Sequence, residues 1–233
     1  MNSDAALRKA VVTGGSSGIG KSIIHAFSKA GIVTAAADVN ADEDLPGDLF
    51  KIDLTDPKQI TAFISNVKNT IGFPDILICN AGRGIHQKLS EGDPDRWEKI
   101  FQLNVFSTFR LIRAFVPAMI MRAAGDVVFI SSVSSGHAYT YGGIYTATKA
   151  AIDQLAETLR LEVQPDIRVT VIHPGVVETD FFKSMISGNQ TPEEIGWGAL
   201  HPDRVAEAVL YAVSQPREVM VNDLVIRPIA QPM

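Results

Sequence analysis

Thr13-Gly14-Gly15-Ser16-Ser17-Gly18-Ile19-Gly20-Lys21-Ser22 follows the apolar run Ala10-Val11-Val12 and opens a stretch of helical period over 19–29. Glycines at such a strand-to-helix junction let the backbone turn tightly and approach a pyrophosphate, and the helix N-terminus supplies free N–H groups and a positive dipole end. Residues 15–22 also satisfy the P-loop pattern of nucleoside-triphosphate sites, in which Lys21 would bind phosphates and Ser22 would hold magnesium. That pattern needs a later strand ending in an acidic residue, and 78–80 and 130–132 end without one. A purely structural glycine turn is the third reading.

Outward from this turn, apolar β-branched runs at 10–13, 32–38, 49–53, 76–80, 127–131, 169–172 and 219–226 alternate with helical patterns at 19–29, 57–70, 97–122, 144–163 and 202–214. Near-continuous apolar strands separated by helices imply a parallel sheet covered on both faces. The fold class is therefore α/β, a single-domain doubly wound parallel sheet of Rossmann type. Neither repeat nor linker divides residues 1–233, so one dinucleotide-binding and catalytic domain is expected. Periodicity fails only around 181–200, where Gly188, Pro192, Gly196 and Gly198 mark a substrate-loop insertion.

The second strand ends at Asp38, 18 residues after Gly20. A carboxylate there can accept from the adenosine ribose hydroxyls and repels a 2′-phosphate, and no Arg or Lys follows nearby, so NAD is expected over NADP. Tyr145 and Lys149 stand four apart on the 144–163 pattern and share a helix face. An ammonium beside a phenol favours phenolate, which predicts a Tyr145 pKa below its ordinary value and makes the residue a usable acid or base. Ser132 ends a strand and can hydrogen-bond a substrate oxygen.

Composition narrows the remaining classes. A net charge of −5 leaves no basic footprint for nucleic acid. The single cysteine, Cys79, lies in an apolar run and forms no internal bridge, in keeping with a cytoplasmic protein. The N-terminal residues show no apolar leader, and the apolar stretch 114–121 is too short to span a bilayer, so no membrane partner is expected. The five histidines form no ligand motif and no metal is expected.

Together these motifs resemble the short-chain dehydrogenases/reductases over almost the whole chain. The resemblance rests on Thr13 to Gly20, on Asp53-Leu54, on Asn80-Ala81-Gly82, on Asn104, on Ser132 thirteen residues before Tyr145, on Tyr145 to Lys149, and on Pro174-Gly175 with Val177 and Thr179. It displaces the P-loop reading. It implies catalytic residues Asn104, Ser132, Tyr145 and Lys149. It implies cofactor contacts from Gly14, Ser16, Ser17, Gly18, Ile19, Gly20, Asp38, Asp53 and Leu54. Further contacts come from Asn80, Ala81, Gly82, Tyr145, Lys149, Pro174, Gly175, Val177 and Thr179. Tyr145 would be the acid/base, Ser132 would polarise the substrate oxygen, and Lys149 would bind the nicotinamide ribose. Asn104 would hold a water relaying protons to Lys149, and Thr179 would bond the carboxamide.

The ending Val221-Asn222-Asp223-Leu224-Val225-Ile226-Arg227-Pro228 is similar to the 3-hydroxy acid and serine dehydrogenases, many of which use NADP. The expected function is NAD-dependent interconversion of a small secondary alcohol and a ketone. The alternatives are an NADP-dependent hydroxy-acid dehydrogenase or a non-catalytic dinucleotide sensor. Arg83 offers itself as a partner for a substrate carboxylate or as a solvated loop residue. The resemblance also implies a homo-oligomer, a tetramer or dimer, with Phe106, Phe109 and Phe115 as candidate interface residues or, equally, core residues.

Overall fold

A computed structural model describes residues 7–40, 44–187 and 192–232. The first half runs β1 (Lys9–Thr13), α1 (Gly18–Lys29), β2 (Val33–Asp38), β3 (Asp48–Lys51), α2 (Pro57–Thr70) and β4 (Ile76–Cys79). A long helical run follows: α3 (Pro94–Phe101), a π turn (Gln102–Phe106) and α4 (Ser107–Met121). The chain continues through β5 (Gly125–Ile130), a 3-10 turn (Val133–Gly136), α5 (Gly143–Val163) and β6 (Ile167–Pro174). It closes with α6 (Pro192–Ile195), α7 (Pro202–Val213) and β7 (Asp223–Ile226).

All seven strands form one parallel sheet in the order β3-β2-β1-β4-β5-β6-β7. Strand residues alternate between two buried faces. Val11, Leu77, Val127 and Val169 face Phe63 of α2, Phe115 and Met119 of α4, and Ile152 of α5. Val12, Ile78 and Val128 face Ile23 and Phe27 of α1 and Val205 and Val209 of α7. Burial on both faces is why the strands read as continuous apolar runs, and each such side chain contributes about 1.5–3 kcal/mol. Strand order reverses between β1 and β4, and the crevice above that reversal is where doubly wound sheets take ligands.

Three helix starts are written in X-Pro pairs. Asp56, Asp93 and His201 cap α2, α3 and α7, each accepting a backbone N–H while proline takes the first helical position.

Four expectations are corrected. The helix expected over 97–122 starts at Pro94 and is interrupted by the π turn that carries Asn104. The last strand is Asp223–Ile226, shorter than 219–226, because the carbonyls of Val219 and Val221 are taken by the side chains of Arg168 and Thr170. The 181–200 segment contains the short helix α6. Phe115 is fully buried in the core, whereas Phe106 and Phe109 are exposed and stack edge to face. The Pro94–Met121 run is long and apolar enough to cross a membrane by composition, but half of its most apolar window is buried within the fold.

At the opposite end of the sheet Asp126 lies buried between Arg168, which donates from Nε at 2.6 Å, and Arg8. Arg168 also donates to the carbonyls of Val213, Gln215 and Pro216, so this carboxylate anchors the turn after α7. Asp126→Ala strands a buried guanidinium and is expected to destabilise the protein by about 3–5 kcal/mol. Urea unfolding checks this; a loss below 1 kcal/mol would contradict it.

Candidate active site

The end of β1 is locked to the end of β4. Thr13 Oγ1 donates to the Ile78 carbonyl at 3.2 Å and accepts the N–H groups of Asn80 at 2.9 Å and Ala81 at 3.0 Å. Asn80 Nδ2 returns hydrogen bonds to the carbonyls of Thr13 and Gly14. This holds the glycine turn against Asn80-Ala81-Gly82. Gly18 has φ +50°, and a Cβ on Gly20 would stand 1.9 Å from the Gly14 carbonyl oxygen, so a side chain at position 20 would break the turn. Ser17 occupies the N-cap of α1 without a side-chain hydrogen bond, leaving the first-turn N–H groups for a ligand.

A cleft of about 1620 Å³ opens above this turn. It is larger than the ~300–1,000 Å³ of ordinary small-molecule sites and can take a dinucleotide and a substrate together. Most of the sequence-predicted cofactor residues line it, from Gly14 and Ser17 through Asp38, Asp53 and Asn80 to Gly175 and Thr179. Ser16, Gly20, Asn104 and Ser132 are not on its wall. Asp38 accepts the N–H of Ser16 at 3.1 Å and of Asn40 at 3.0 Å, which ties the tip of β2 to the glycine turn. Each of its oxygens can accept a further hydrogen bond. Asp53 accepts from the N–H and hydroxyl of Thr55 and so shapes its own turn beside Leu54.

At the far end of the cleft, Ser134 N–H donates to Ser132 Oγ at 3.1 Å, and the Ser132 hydroxyl hydrogen-bonds the Tyr145 phenol. One turn along α5, Lys149 is buried and donates to the Ile130 carbonyl at 2.8 Å. Its Nζ lies 5.8 Å from the Tyr145 ring centre. The expected lowering of the Tyr145 pKa is not met: burial pushes it above its ordinary value, and only the Ser132 hydrogen bond opposes this. The physical reason is that loss of water outweighs the Ser132 hydrogen bond, and Tyr139 adds to the rise. Burial also brings Lys149 down to about 8, with Asp153 opposing.

Asn104 proves to be a clamp. Its Oδ1 accepts Arg83 N–H at 3.0 Å, and its Nδ2 donates to the Arg83 carbonyl at 3.0 Å and to Thr148 Oγ1 at 3.1 Å. The π turn brings it inward, joining the loop after β4 to α5. Thr179 sits over Gly18, its Cγ2 within 2.9 Å of where a Cβ would stand, and so links the start of the 181–200 segment to the glycine turn.

Sequence reasoning missed several supports. Thr148 carries no motif of its own, and the glycine motif, though it begins at Thr13, does not signal that residue's joining of β1 to β4. Gln231 Oε1 accepts Val176 N–H at 2.9 Å, which brings the C-terminal segment onto the Pro174-Gly175 loop. His173 lies behind α5, with Nε2 3.2 Å from Asp223 and Nδ1 3.8 Å from Asp153. Such contacts join residues far apart in the chain, and no local pattern signals them.

The model of the short chain dehydrogenases matches residues 8–190. The chain belongs to the short-chain dehydrogenase family. An uncharacterized oxidoreductase from Staphylococcus saprophyticus is 32% identical over 238 residues, covering 94% of this chain and 97% of the relative. An alcohol dehydrogenase from the archaeon Thermococcus sibiricus, solved with 5-hydroxy-NADP, superposes with a TM-score of 0.85 at 27% identity, covering 97% and 99% of the two chains. A serine dehydrogenase from Escherichia coli gives 0.83 at 26% identity, covering 97% of this chain and 100% of the other. This short-chain oxidoreductase thus has serine-dehydrogenase-like relatives, as its C-terminal segment suggests.

Because burial depresses Lys149, the native state carries a desolvated ammonium below about pH 8 that the unfolded state does not. Its stability contribution is lost as pH falls from 10.5 through about 8. The melting temperature of Lys149→Met relative to the parent is therefore expected to be more favourable at pH 7 than at pH 10. A pH-independent difference in thermal melts would contradict the assignment.

Proposed function

We propose that this dehydrogenase interconverts a secondary alcohol and a ketone with NAD, using Tyr145 as acid and base. The observation that carries the reading is the hydrogen-bond chain from Ser134 N–H through Ser132 Oγ to Tyr145 at the end of a dinucleotide-sized cleft. The glycine turn, the open N-terminus of α1 and the Asp38 carboxylate fit a nicotinamide dinucleotide. When bound, that cofactor accepts or gives the hydride. In reduction, Tyr145 donates its proton to the developing alkoxide while Ser132 stabilises the same oxygen. In oxidation the proton returns to Tyr145. Lys149 binds the ribose hydroxyls and supports negative charge on the phenol. Asn104 holds the Arg83 backbone and α5 in register beside Lys149, and a water at its backbone remains our reading of the proton relay.

Asp38 supports NAD, since residues 39–43 contain no lysine or arginine to pair with a 2′-phosphate. The second reading, an NADP-dependent hydroxy-acid dehydrogenase, is favoured on cofactor by the NADP analogue of the archaeal alcohol dehydrogenase and on substrate by the likeness to the Escherichia coli serine dehydrogenase. We read the chain as a cytoplasmic homo-oligomer, supported by the exposed Phe106–Phe109 stack.

Titration with NADH and NADPH tests the cofactor: NADH is expected to bind more tightly, and Asp38→Ala to narrow the ratio at least ~10-fold, or about 1.4 kcal/mol. A parent preference for NADPH would overturn the reading. Tyr145→Phe is expected to lower turnover by at least ~10³-fold with NADH affinity retained, which steady-state kinetics and titration check together. Since burial keeps the phenol protonated at neutral pH, kcat/KM for reduction is expected to fall above about pH 8, where Lys149 loses its charge. Oxidation is expected to rise from pH 6 towards 8 as proton removal becomes easier. Rate profiles in both directions with one substrate pair check the signs.

A further inference from the structure

The end of the cleft beyond Tyr145 is roofed by the segment that follows Thr179. Phe181 packs on Tyr145 with ring centres 5.6 Å apart, and Phe182 stacks on Phe181 at 5.7 Å. Met185 is buried beside them. Both roof side chains rest on Gly84, where a Cβ would meet Phe181 Cζ at 3.0 Å and Met185 Cγ at 3.1 Å. The roof is fastened by its backbone: Ile186 N–H donates to the Gly84 carbonyl, and His86 N–H donates to the Ser187 carbonyl, both at 3.1 Å. The Ser187 hydroxyl donates to the His86 carbonyl at 3.0 Å.

The charged groups here are mostly directed at partners. Arg83, which lines the cleft, is oriented onto the Ser184 carbonyl, to which both Nε, at 2.9 Å, and Nη2 donate. Lys149 is held by the Ile130 carbonyl, and His173 faces Asp223. His86 contacts the Tyr139 hydroxyl at 3.2 Å, and burial disfavours its protonated form; burial also pushes Tyr139 up to about 12. This pair therefore offers neutral hydrogen bonds at pH 7. Lys99 and His137 also line the cleft but are solvent-exposed. The roof side adds Asp180, which is paired with Lys183 at 2.9 Å, and the carboxylate of Glu194. A substrate carboxylate laid against Phe181 and Met185 would lose water among apolar side chains, with the Arg83 guanidinium directed at Ser184, and a buried charge without a close partner is strongly disfavoured.

We infer that this arm selects uncharged secondary alcohols and ketones bearing an apolar arm, which lies against Phe181 and Met185, and rejects hydroxy and keto acids. The inference rests on the dehydrogenase reading above and separates this chain in substrate class from a serine dehydrogenase. The test compares kcat/KM for methyl 3-hydroxybutyrate, free 3-hydroxybutyrate and 1-phenylethanol on the full chain with NAD and with NADP. The ester is expected to exceed the acid at least ~100-fold, and Phe181→Ala to raise KM for 1-phenylethanol about tenfold with a smaller change in kcat. Arg83→Ala is expected to leave the ester-to-acid ratio unchanged. Equal or better turnover of the acid, or acid turnover abolished by Arg83→Ala, overturns the inference. A second measurement follows binding of isobutyramide and isobutyrate to the NADH complex by nicotinamide fluorescence. Preference for the amide supports the selection even without turnover, and preference for the acid overturns it. Absence of turnover of all three alcohols under both cofactors, with amide preference retained, sinks the dehydrogenase reading and leaves the selectivity standing.

Discussion

The hydroxyl of Thr13 joins the two strands on which the whole site stands. It accepts the N–H groups of Asn80 and Ala81 and donates to the Ile78 carbonyl, at the one place where strand order reverses. Without it, two backbone donors at that junction would face each other unpaired, each costing about 1–3 kcal/mol if left so. With it, the glycine turn from β1 and the loop from β4 are held edge to edge. Asn80 completes the lock by bonding both turn carbonyls within reach of its amide. The turn is then stiff enough for Gly20 to pass under the Gly14 carbonyl, an approach that leaves no room for a Cβ.

From that lock the loop after β4 carries order to the catalytic end. Asn104 grips the Arg83 backbone from a π turn and reaches Thr148 on α5, so the helix bearing Tyr145 and Lys149 is registered against the sheet through a side chain from the long central helix. Wide turns inside helices recur at functional sites, and here the interruption is what turns the amide inward. The same arrangement works against stability. Tyr145 and Lys149 are both driven towards their neutral forms by burial. The Ile130 carbonyl and the field of Asp153 hold the ammonium in place at that cost.

Closure of the cleft is shared by segments distant in sequence. A parallel bridge between Val177 and Leu200 pins the two ends of the substrate segment together, and the Gly84–His86 loop fastens its middle. Gln231 supports the Pro174-Gly175 loop from the opposite side. Arg83 takes part in this closure, donating from Nε and Nη2 to the Ser184 carbonyl of the roof.

The sequence by itself determined the layered α/β architecture, the glycine turn and most of the residues that line the cleft. Strands buried on both faces must be continuously apolar, a turn under a helix needs glycine, and prolines at 57 and 202 open helical patterns; these constraints act within a few residues and are written locally. Tertiary structure alone decided that Asn104 sits in a π turn, that Phe115 belongs to the core, that Arg83 is tied to Ser184, and that Tyr145 is shifted upward. Each depends on burial or on partners distant in the chain, and desolvation, which sets the charge states at Lys149 and Tyr145, exists only once the fold has removed water from them.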